Sequence, residues 1–228
     1  MGKLTGSEIL LESLHRQNVE VIFGLPGGAV LPLYDALYSA GVRHLLVRHE
    51  QAAAFAADGY ARATGKPGVL LVTSGPGATN VMTGLTSALM DSIPVVALTG
   101  QVPASMIGKD GFQEADTIGI SLPCTKQNFA AKSAAEIPSI IQRAFRAAVS
   151  GRPGPVLVDL PKSVLMEKAE ACYPPSAGSG RPDRLPHRRS IPSGARTTLR
   201  TYVPNRARAP PLMASVPRPR RRRAARWR

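Results

Sequence analysis

Five short apolar runs, most of them with several β-branched residues, are the strongest constraint on how this chain folds. None alternates polar and apolar residues as a half-exposed strand would, so both faces of each strand should be covered. Helical segments of roughly 10–15 residues separate most of the runs, which favours right-handed crossovers and a parallel sheet. The runs are VEVIF (19–23), HLLV (44–47), GVLLVTS (68–74), PVVALTG (94–100) and PVLVDLP (155–161). We predict an α/β fold: a doubly wound parallel sheet with helices on both faces.

The segments between the runs have helical signatures. Thr5 and Glu8 have the spacing of a capping box at the start of the first helix. Further helices are predicted over 31–40, from Glu50 onward, from GPGATN (75–80) to about Met90, and over 133–150.

Charge divides the chain into two parts. Residues 1–170 hold 14 Lys and Arg against 14 Asp and Glu, whereas residues 171–228 hold 15 Arg, no Lys and one acid. The second part also carries 10 of the 21 prolines and little apolar sequence. Such a segment buries too little surface to offset its ordering entropy. We therefore predict one folded domain over 1–170 and a disordered basic tail over 171–228.

The tail explains the overall charge of +14. Polyarginine binds nucleic acids and anionic surfaces electrostatically, but the abrupt loss of lysine is more typical of GC-rich DNA translated out of frame. We expect an accidental tail and no nucleic-acid partner. No apolar run reaches the roughly 18 residues of a membrane span, and the two cysteines are far apart, which indicates reduced thiols in a cytoplasmic protein. No metal-binding spacing is present.

Glu50 stands where the run HLLV gives way to the alanine-rich helix RHEQAAAFAADGYARATG (48–65). In an open α/β sheet, ligands bind at such strand-to-helix junctions. Alanine neighbours leave the carboxylate short of water and cations, which suits a group that shares a proton with a ligand. The alternative is that Glu50 only complements the helix dipole.

Glycine-rich turns follow two of the runs, and a long loop follows another. GLPGG (24–28) lets backbone N–H groups approach a ligand, and SGPGATN (74–80) opens a helix whose amides favour an anion. The loop TGQVPASMIGKDGFQE (99–114) carries two amide side chains. Neither GxGxxG nor GxxxxGK[ST] occurs, so the residues alone predict a pocket without naming its ligand.

Six motifs, in register and in order, resemble the N-terminal domain of thiamine-diphosphate enzymes of the acetolactate synthase large-subunit family. The similarity covers about residues 4–168. The motifs are GLPGGAVLPLYDAL, RHEQAAAFAADGYARATG, TSGPGATN, PVVALTGQVP, IGKDGFQE and SGRPGPVLVDLP. This resemblance implies thiamine-diphosphate-dependent decarboxylation of pyruvate and carboligation to a second 2-oxo acid, which is pyruvate or 2-oxobutyrate. The reaction belongs to isoleucine and valine biosynthesis.

The resemblance also implies residue roles. Glu50 matches the acid that hydrogen-bonds the aminopyrimidine ring of thiamine diphosphate, and Gly28 matches a backbone position near the reacting centre. Gln113 matches a catalytic and cofactor-binding position. Four residues match positions in the substrate pocket: Ala29, Pro103, Phe112 and Lys126. Two residues, Ser92 and Arg152, match positions that contact FAD.

In the family, a further domain holds much of the FAD and another binds the diphosphate through Mg²⁺, whose GDG…N signature does not occur here. The resemblance also implies a homodimer or tetramer and a possible regulatory small subunit. We therefore expect a truncated or frameshifted acetolactate synthase that is inactive alone. Two alternatives stay open: a non-catalytic binding protein with a basic, nucleic-acid-binding tail, and another thiamine-diphosphate enzyme such as a pyruvate oxidase or decarboxylase.

Overall fold

The computed structural model describes residues 2–175. Its main feature is a six-stranded parallel sheet with strand order β3-β2-β4-β5-β7-β6, and a small antiparallel pair joins β1 to β8. The strands are β1 (Leu4–Thr5), β2 (Val21–Leu25), β3 (Arg43–Leu46), β4 (Gly68–Val72), β5 (Val95–Gln101), β6 (Gln127–Ala130), β7 (Val156–Pro161) and β8 (Lys168–Ala169). The helices are α1 (Gly6–Arg16), α2 (Leu31–Leu37), α3 (Glu50–Thr64), α4 (Pro76–Thr79), α5 (Met82–Met90), α6 (Thr117–Ser121), α7 (Ile137–Val149) and α8 (Lys162–Met166).

The predicted fold class is confirmed. Every residue of β4, β5 and β7 is buried, as expected for continuous apolar strands in the middle of a parallel sheet. Side chains alternate between two cores. One core includes Ile22 and Leu98 and lies under α1, α2, α7 and α8; the other includes Phe23 and Ala97 and lies under α3 and α5.

The strand order reverses between β2 and β4. From β2 the chain moves outward to β3 and then returns to β4, which pairs with the other side of β2. All six strands run in the same direction, so their last residues share one edge of the sheet, called here the carboxyl edge. The opposite edge, where the strands begin, is called the amino edge. In open α/β sheets, ligands bind in a crevice at the carboxyl edge where the strand order reverses.

Helix boundaries follow local signals. The predicted capping box is present: the Thr5 hydroxyl accepts from the Glu8 N–H, and the Glu8 carboxylate accepts from the Thr5 N–H. At α3, His49 is the N-cap and accepts from the Gln51 N–H. Gly65 ends α3 with a left-handed φ of 74°, a conformation that glycine adopts without steric cost.

The sequence reasoning missed the edge strand β6 and the short helices α6 and α8. Strand β6 is largely polar and only Phe129 in it is buried, so it lacks the apolar run typical of the central strands. Helices α6 and α8 have five residues each, too few for a helical period to be visible. The predicted helix over 75–90 is two helices, α4 and α5, and residues 134–136 form a 3-10 turn before α7.

The predicted tail falls mostly outside the described residues. Of residues 171–228, the structure describes 171–175, where Tyr173 lies under the Arg16 guanidinium at 4.2 Å from the ring centroid. The domain boundary at 170 and the out-of-frame tail stay predictions. Within residues 2–175, no helix combines the length and the apolar character that a membrane crossing requires.

Candidate functional site

Glu50 is the first residue of α3, four residues after the end of β3 at the carboxyl edge. Glu50 as a whole is 9% exposed to solvent. One carboxylate oxygen, Oε2, accepts from the Asn80 side-chain amide at 2.9 Å. Within residues 2–175, no hydrogen-bond donor reaches the other oxygen, Oε1. One face of a buried carboxylate is therefore fixed, and the other is available to a ligand.

The turn after β2 approaches the end of β4 closely. A Cβ at Gly27 would lie 2.5 Å from the Cβ of Thr73, so only glycine fits there without a shift. The Ala29 N–H donates to the Thr73 hydroxyl at 3.4 Å. Gly28 is exposed, and a Cβ there would meet no atom within 4 Å. The Gly28 backbone thus borders open space at the crevice.

The turn after β4 links that region to Glu50. Gly75 has φ 57°, and its backbone packs against the Gln113 backbone, where an added Cβ would lie 2.6 Å from the Gln113 carbonyl oxygen. A Cβ at Gly77 would lie 2.6 Å from Cγ2 of Thr73 and 3.6 Å from Oε1 of Glu50. The absence of a side chain at Gly77 therefore leaves the space beside the carboxylate unfilled, and the absence of one at Gly75 lets this turn approach Gln113.

The loop 102–116, between β5 and α6, has an internal anchor. The Glu114 carboxylate accepts from the N–H groups of Gly108 and Gly111. These backbone hydrogen bonds lower the pKa of Glu114. Pro103, the second residue of the loop, is half-buried, whereas Phe112 is 90% exposed. The loop thus has a defined conformation that presents a large apolar side chain to solvent.

A buried polar cluster lies at the ends of β5 and β7. The Asp159 carboxylate accepts from the Thr99 hydroxyl at 2.8 Å and from the Gln101 side-chain amide at 3.2 Å. Burial is the main cause that raises the pKa of Asp159 to about 6; its two hydrogen bonds act in the opposite direction, and the nearby Asp116 adds to the increase. Sequence reasoning did not single out Asp159.

The predicted FAD-contacting residues lie together at the amino edge. Ser92, just after α5, has φ 59°, and its N–H and that of Ile93 donate to carbonyls of the last turn of α5 in the Schellman pattern. Arg152 donates to the Ser92 hydroxyl at 2.8 Å and to the carbonyls of Leu89 and Met90. In this structure both side chains close the end of a helix.

Lys126 lies at the same edge, just before β6. Its ammonium donates to the carbonyls of Ala147 and Ser150 at the end of α7. A cation near a helix C-terminus complements the helix dipole. Partial burial lowers the pKa of Lys126.

The predicted site residues thus divide into two groups. The structure places Gly28, Ala29 and Gln113 in turns and loops at the carboxyl edge, next to Glu50 at the start of α3. Pro103 and Phe112 lie on the loop that carries Gln113. It places Ser92, Lys126 and Arg152 at the opposite edge.

Sequence reasoning missed Thr73 and Asn80 as partners of Ala29 and Glu50. Both belong to the turn region 73–80, which follows a buried strand. That position was a usable signal, since polar residues just beyond a buried strand lie at the ligand-binding edge.

Comparison with known proteins agrees with this fold. Residues 4–120, just over half of the chain, match the family model described as thiamine pyrophosphate enzyme, N-terminal TPP binding domain. The chain belongs to this family. The Glu50 carboxylate, its partner Asn80 and the turns around them all lie within the matched residues of this thiamine pyrophosphate enzyme domain.

Curated relatives of this domain are named acetolactate synthases, which confirms the resemblance inferred from the motifs. The acetolactate synthase isozyme 2 large subunit of Escherichia coli (strain K12) is 58% identical over 167 residues, 73% of this chain and 30% of the relative. The Mycobacterium leprae enzyme is 53% identical over 197 residues, 85% of this chain and 32% of the relative. The Corynebacterium glutamicum large subunit is 50% identical over 192 residues, 83% of this chain and 31% of the relative.

The chain spans about a third of the length of these relatives. The similarity therefore concerns one part of a longer architecture. Among residues 2–175, no three His, Cys, Asp or Glu side chains lie close enough together to hold a metal ion. Cys124 and Cys172 are both free thiols.

Proposed function

We propose that this thiamine pyrophosphate enzyme domain belongs to an acetolactate synthase that decarboxylates pyruvate and joins the product to a second 2-oxo acid. The proposal depends above all on Glu50, a buried carboxylate with one oxygen held by Asn80 and the other open beside Gly77. The acetolactate synthase names of the relatives favour this activity over that of a pyruvate oxidase or decarboxylase. No observation on the described residues favours the non-catalytic alternative.

Thiamine diphosphate, when bound, supplies the carbanion chemistry and accepts the electron pair left by decarboxylation. In our proposal Oε1 of Glu50 shares a proton with the ring nitrogen of the cofactor's aminopyrimidine. The Asn80 amide keeps the carboxylate oriented. The N–H of Gly28 borders the open crevice, where a backbone donor stabilises developing negative charge on oxygen.

The remaining assignments stay proposals that come from the resemblance alone. They are binding of FAD and Mg²⁺, the use of 2-oxobutyrate, isoleucine and valine biosynthesis, a homodimer or tetramer, a regulatory small subunit and a cytoplasmic location. The donors of Arg152 that face α5 already bind backbone carbonyls and Ser92, so the isolated domain gives the FAD assignment no support. Inactivity of residues 1–228 alone also stays a prediction.

A hybrid enzyme tests the proposal. Residues 4–168 of this chain replace the aligned segment of the E. coli isozyme 2 large subunit, which is 58% identical over 167 residues. We expect acetolactate formation from pyruvate with thiamine diphosphate, Mg²⁺ and FAD. The Glu50→Gln hybrid should lose on the order of 10²–10⁴-fold in kcat, the usual contribution of a positioned proton-transfer group.

Asp35→Asn is the matched control, since Asp35 is an exposed acid on α2. It should leave kcat unchanged. A folded hybrid in which Glu50→Gln retains full turnover would show that Glu50 has no role in the reaction.

A further inference from the structure

The polar cluster at the ends of β5 and β7 has no part in the mechanism proposed above. Thr99, Gln101 and Asp159 are 0%, 4% and 5% exposed. The large majority of buried polar side chains in proteins have hydrogen-bond partners. Here the bonds extend beyond the sheet, because Gln101 also donates to the carbonyl of Ala115 at 2.9 Å.

Gln101 is held in one orientation. Its amide nitrogen faces two acceptors, the Asp159 carboxylate at 3.2 Å and the Ala115 carbonyl at 2.9 Å, and lies 3.5 Å from the Thr117 hydroxyl. Its amide oxygen accepts from the Val102 N–H at 2.9 Å. Rotating the amide by 180° would set oxygen against both acceptors and nitrogen against a donor. The negative charge of Asp159 therefore favours the orientation in which Gln101 binds the loop.

Ala115 lies near the end of the loop 102–116, two residues after Gln113. The backbone of Gln113 packs against Gly75, in the turn that leads to Asn80. A continuous path of contacts thus runs from Asp159 through Gln101 to the segment beside the candidate site. The Ala104 N–H fixes the beginning of the loop by donating to the Ser163 hydroxyl at 3.0 Å.

We propose that Asp159 is a positioning residue: acting through the side chain of Gln101, it holds the loop 102–116 so that Gln113 lies against the Gly75 turn and Phe112 faces outward. The contacts described above support this loop conformation. Only its importance for catalysis rests on the proposed acetolactate synthase function.

The cost of burying this carboxylate supports a specific role. Burial raises the pKa of Asp159 to about 6, so at neutral pH the protein keeps a charge that its surroundings disfavour. None of the ion pairs found among residues 2–175 includes Asp159. A neutral side chain of the same shape would be cheaper to bury, but it would orient Gln101 less strongly.

Hydrogen exchange measured on the full 228-residue chain, without cofactor, tests the proposal. At pH 7.5, Asp159→Asn should raise the exchange rate of amides 104–114 about tenfold, the loss expected for one charge-assisted hydrogen bond. Gln101→Leu should give an increase at least as large. Since Asp159 acts through Gln101, the double variant should exchange no faster than Gln101→Leu alone. Additive effects of the two substitutions would overturn the proposal.

Thr99→Val is the matched control, because it removes the other hydrogen bond of Asp159 and leaves the contact between Gln101 and Ala115 in place. Its loop exchange should match that of the wild type. Urea unfolding at the same pH separates positioning from general stability: Asp159→Asn should be at least as stable as the wild type while its loop exchanges faster. Failure of Asp159→Asn to fold, or unchanged loop exchange, would contradict the proposal. Neither readout depends on thiamine diphosphate, so failure of the proposed function would appear only in the hybrid assay.

Discussion

The charged residues at the two edges of the parallel sheet differ in how deeply they are buried and in the partners that they bind. At the amino edge, Arg152 and Lys126 bind the carbonyls that end α5 and α7. At the carboxyl edge, Glu50 and Asp159 are buried without a cationic partner among the described residues.

This difference distinguishes the residues that stabilise the domain from the residues that we assign to a site. Cations at helix C-termini satisfy orphan carbonyls and complement the helix dipole, so they stabilise the domain. Buried carboxylates without cations reduce stability, and a protein that retains them usually uses them in a site. We therefore expect charge removal to be destabilising at the amino edge and neutral or stabilising at the carboxyl edge.

The largest expected effect concerns Asp159 and pH. Its folded-state pKa of about 6 lies above its usual 3.8, so between these values the folded chain binds more protons than the unfolded chain. The raised pKa means that protonated Asp159 stabilises the folded state. This contribution to the free energy of unfolding is complete below pH 3.8 and is lost as pH rises through about 6. From pH 4 to pH 7, Asp159→Asn should gain about 2.4 kcal/mol relative to the wild type.

Urea unfolding of both proteins across this pH range measures that gain. Glu8 and Glu114, whose pKa values are lowered by hydrogen bonds, titrate in the opposite sense in both proteins and cancel in the difference. A difference that does not change with pH would mean that burial does not disfavour the Asp159 charge.

Gly27 and Gly28 test the carboxyl edge without changing a charge. Gly27→Ala brings a methyl group within 2.5 Å of Thr73 and should destabilise the domain by about 2 kcal/mol through overpacking. Gly28→Ala meets no atom within 4 Å and should stay within about 0.5 kcal/mol of the wild type. Thermal unfolding of the pair checks whether the open space at Gly28 exists; equal destabilisation would show that it does not.

At the amino edge, Arg152→Met should cost about 1 kcal/mol. The substitution leaves the Ser92 hydroxyl and the last carbonyls of α5 to water, and Arg152 is largely exposed, which limits the loss. Lys132→Met, at another exposed cation, is the control and should have almost no effect. Denaturant unfolding measures both; a neutral Arg152→Met would remove the contrast between the two edges.

The smallest expected change in stability concerns Glu50, the residue on which the proposed function depends most. Glu50→Gln keeps an oxygen that accepts from Asn80 and removes a charge that has no cationic partner. Its free energy of unfolding should stay within about 0.5 kcal/mol of the wild type. A loss of several kcal/mol in urea unfolding would instead assign Glu50 a structural role.

Much of the architecture could be predicted because its signals are local. Apolar runs without alternation indicate strands that are covered on both faces, and four of the five runs correspond to strands with at most one partly exposed residue. The fifth, β3, is an edge strand whose residues are mostly exposed. The polar edge strand β6 carries no such signal.

The candidate site was only half predictable. Glu50 could be found because a strand-to-helix junction is visible in the sequence. Asp159 could not, because it lies in the apolar run PVLVDLP and its role depends on Gln101, 58 residues away. For Ser92 and Arg152, family resemblance implied a cofactor contact, whereas the fold joins them to each other across 60 residues.

Local signals in the sequence were enough to predict most of the helices and strands, the parallel sheet and the place of one carboxylate at its edge, since periodicity, capping and turn chemistry act over a few residues. The tertiary structure decided which polar groups meet. That choice depends on strand order and register, which bring β5 beside β7 and the loop 102–116 beside the Gly75 turn. A hydrogen bond between distant residues forms only when the packed sheet fixes both partners, and no local pattern records that geometry.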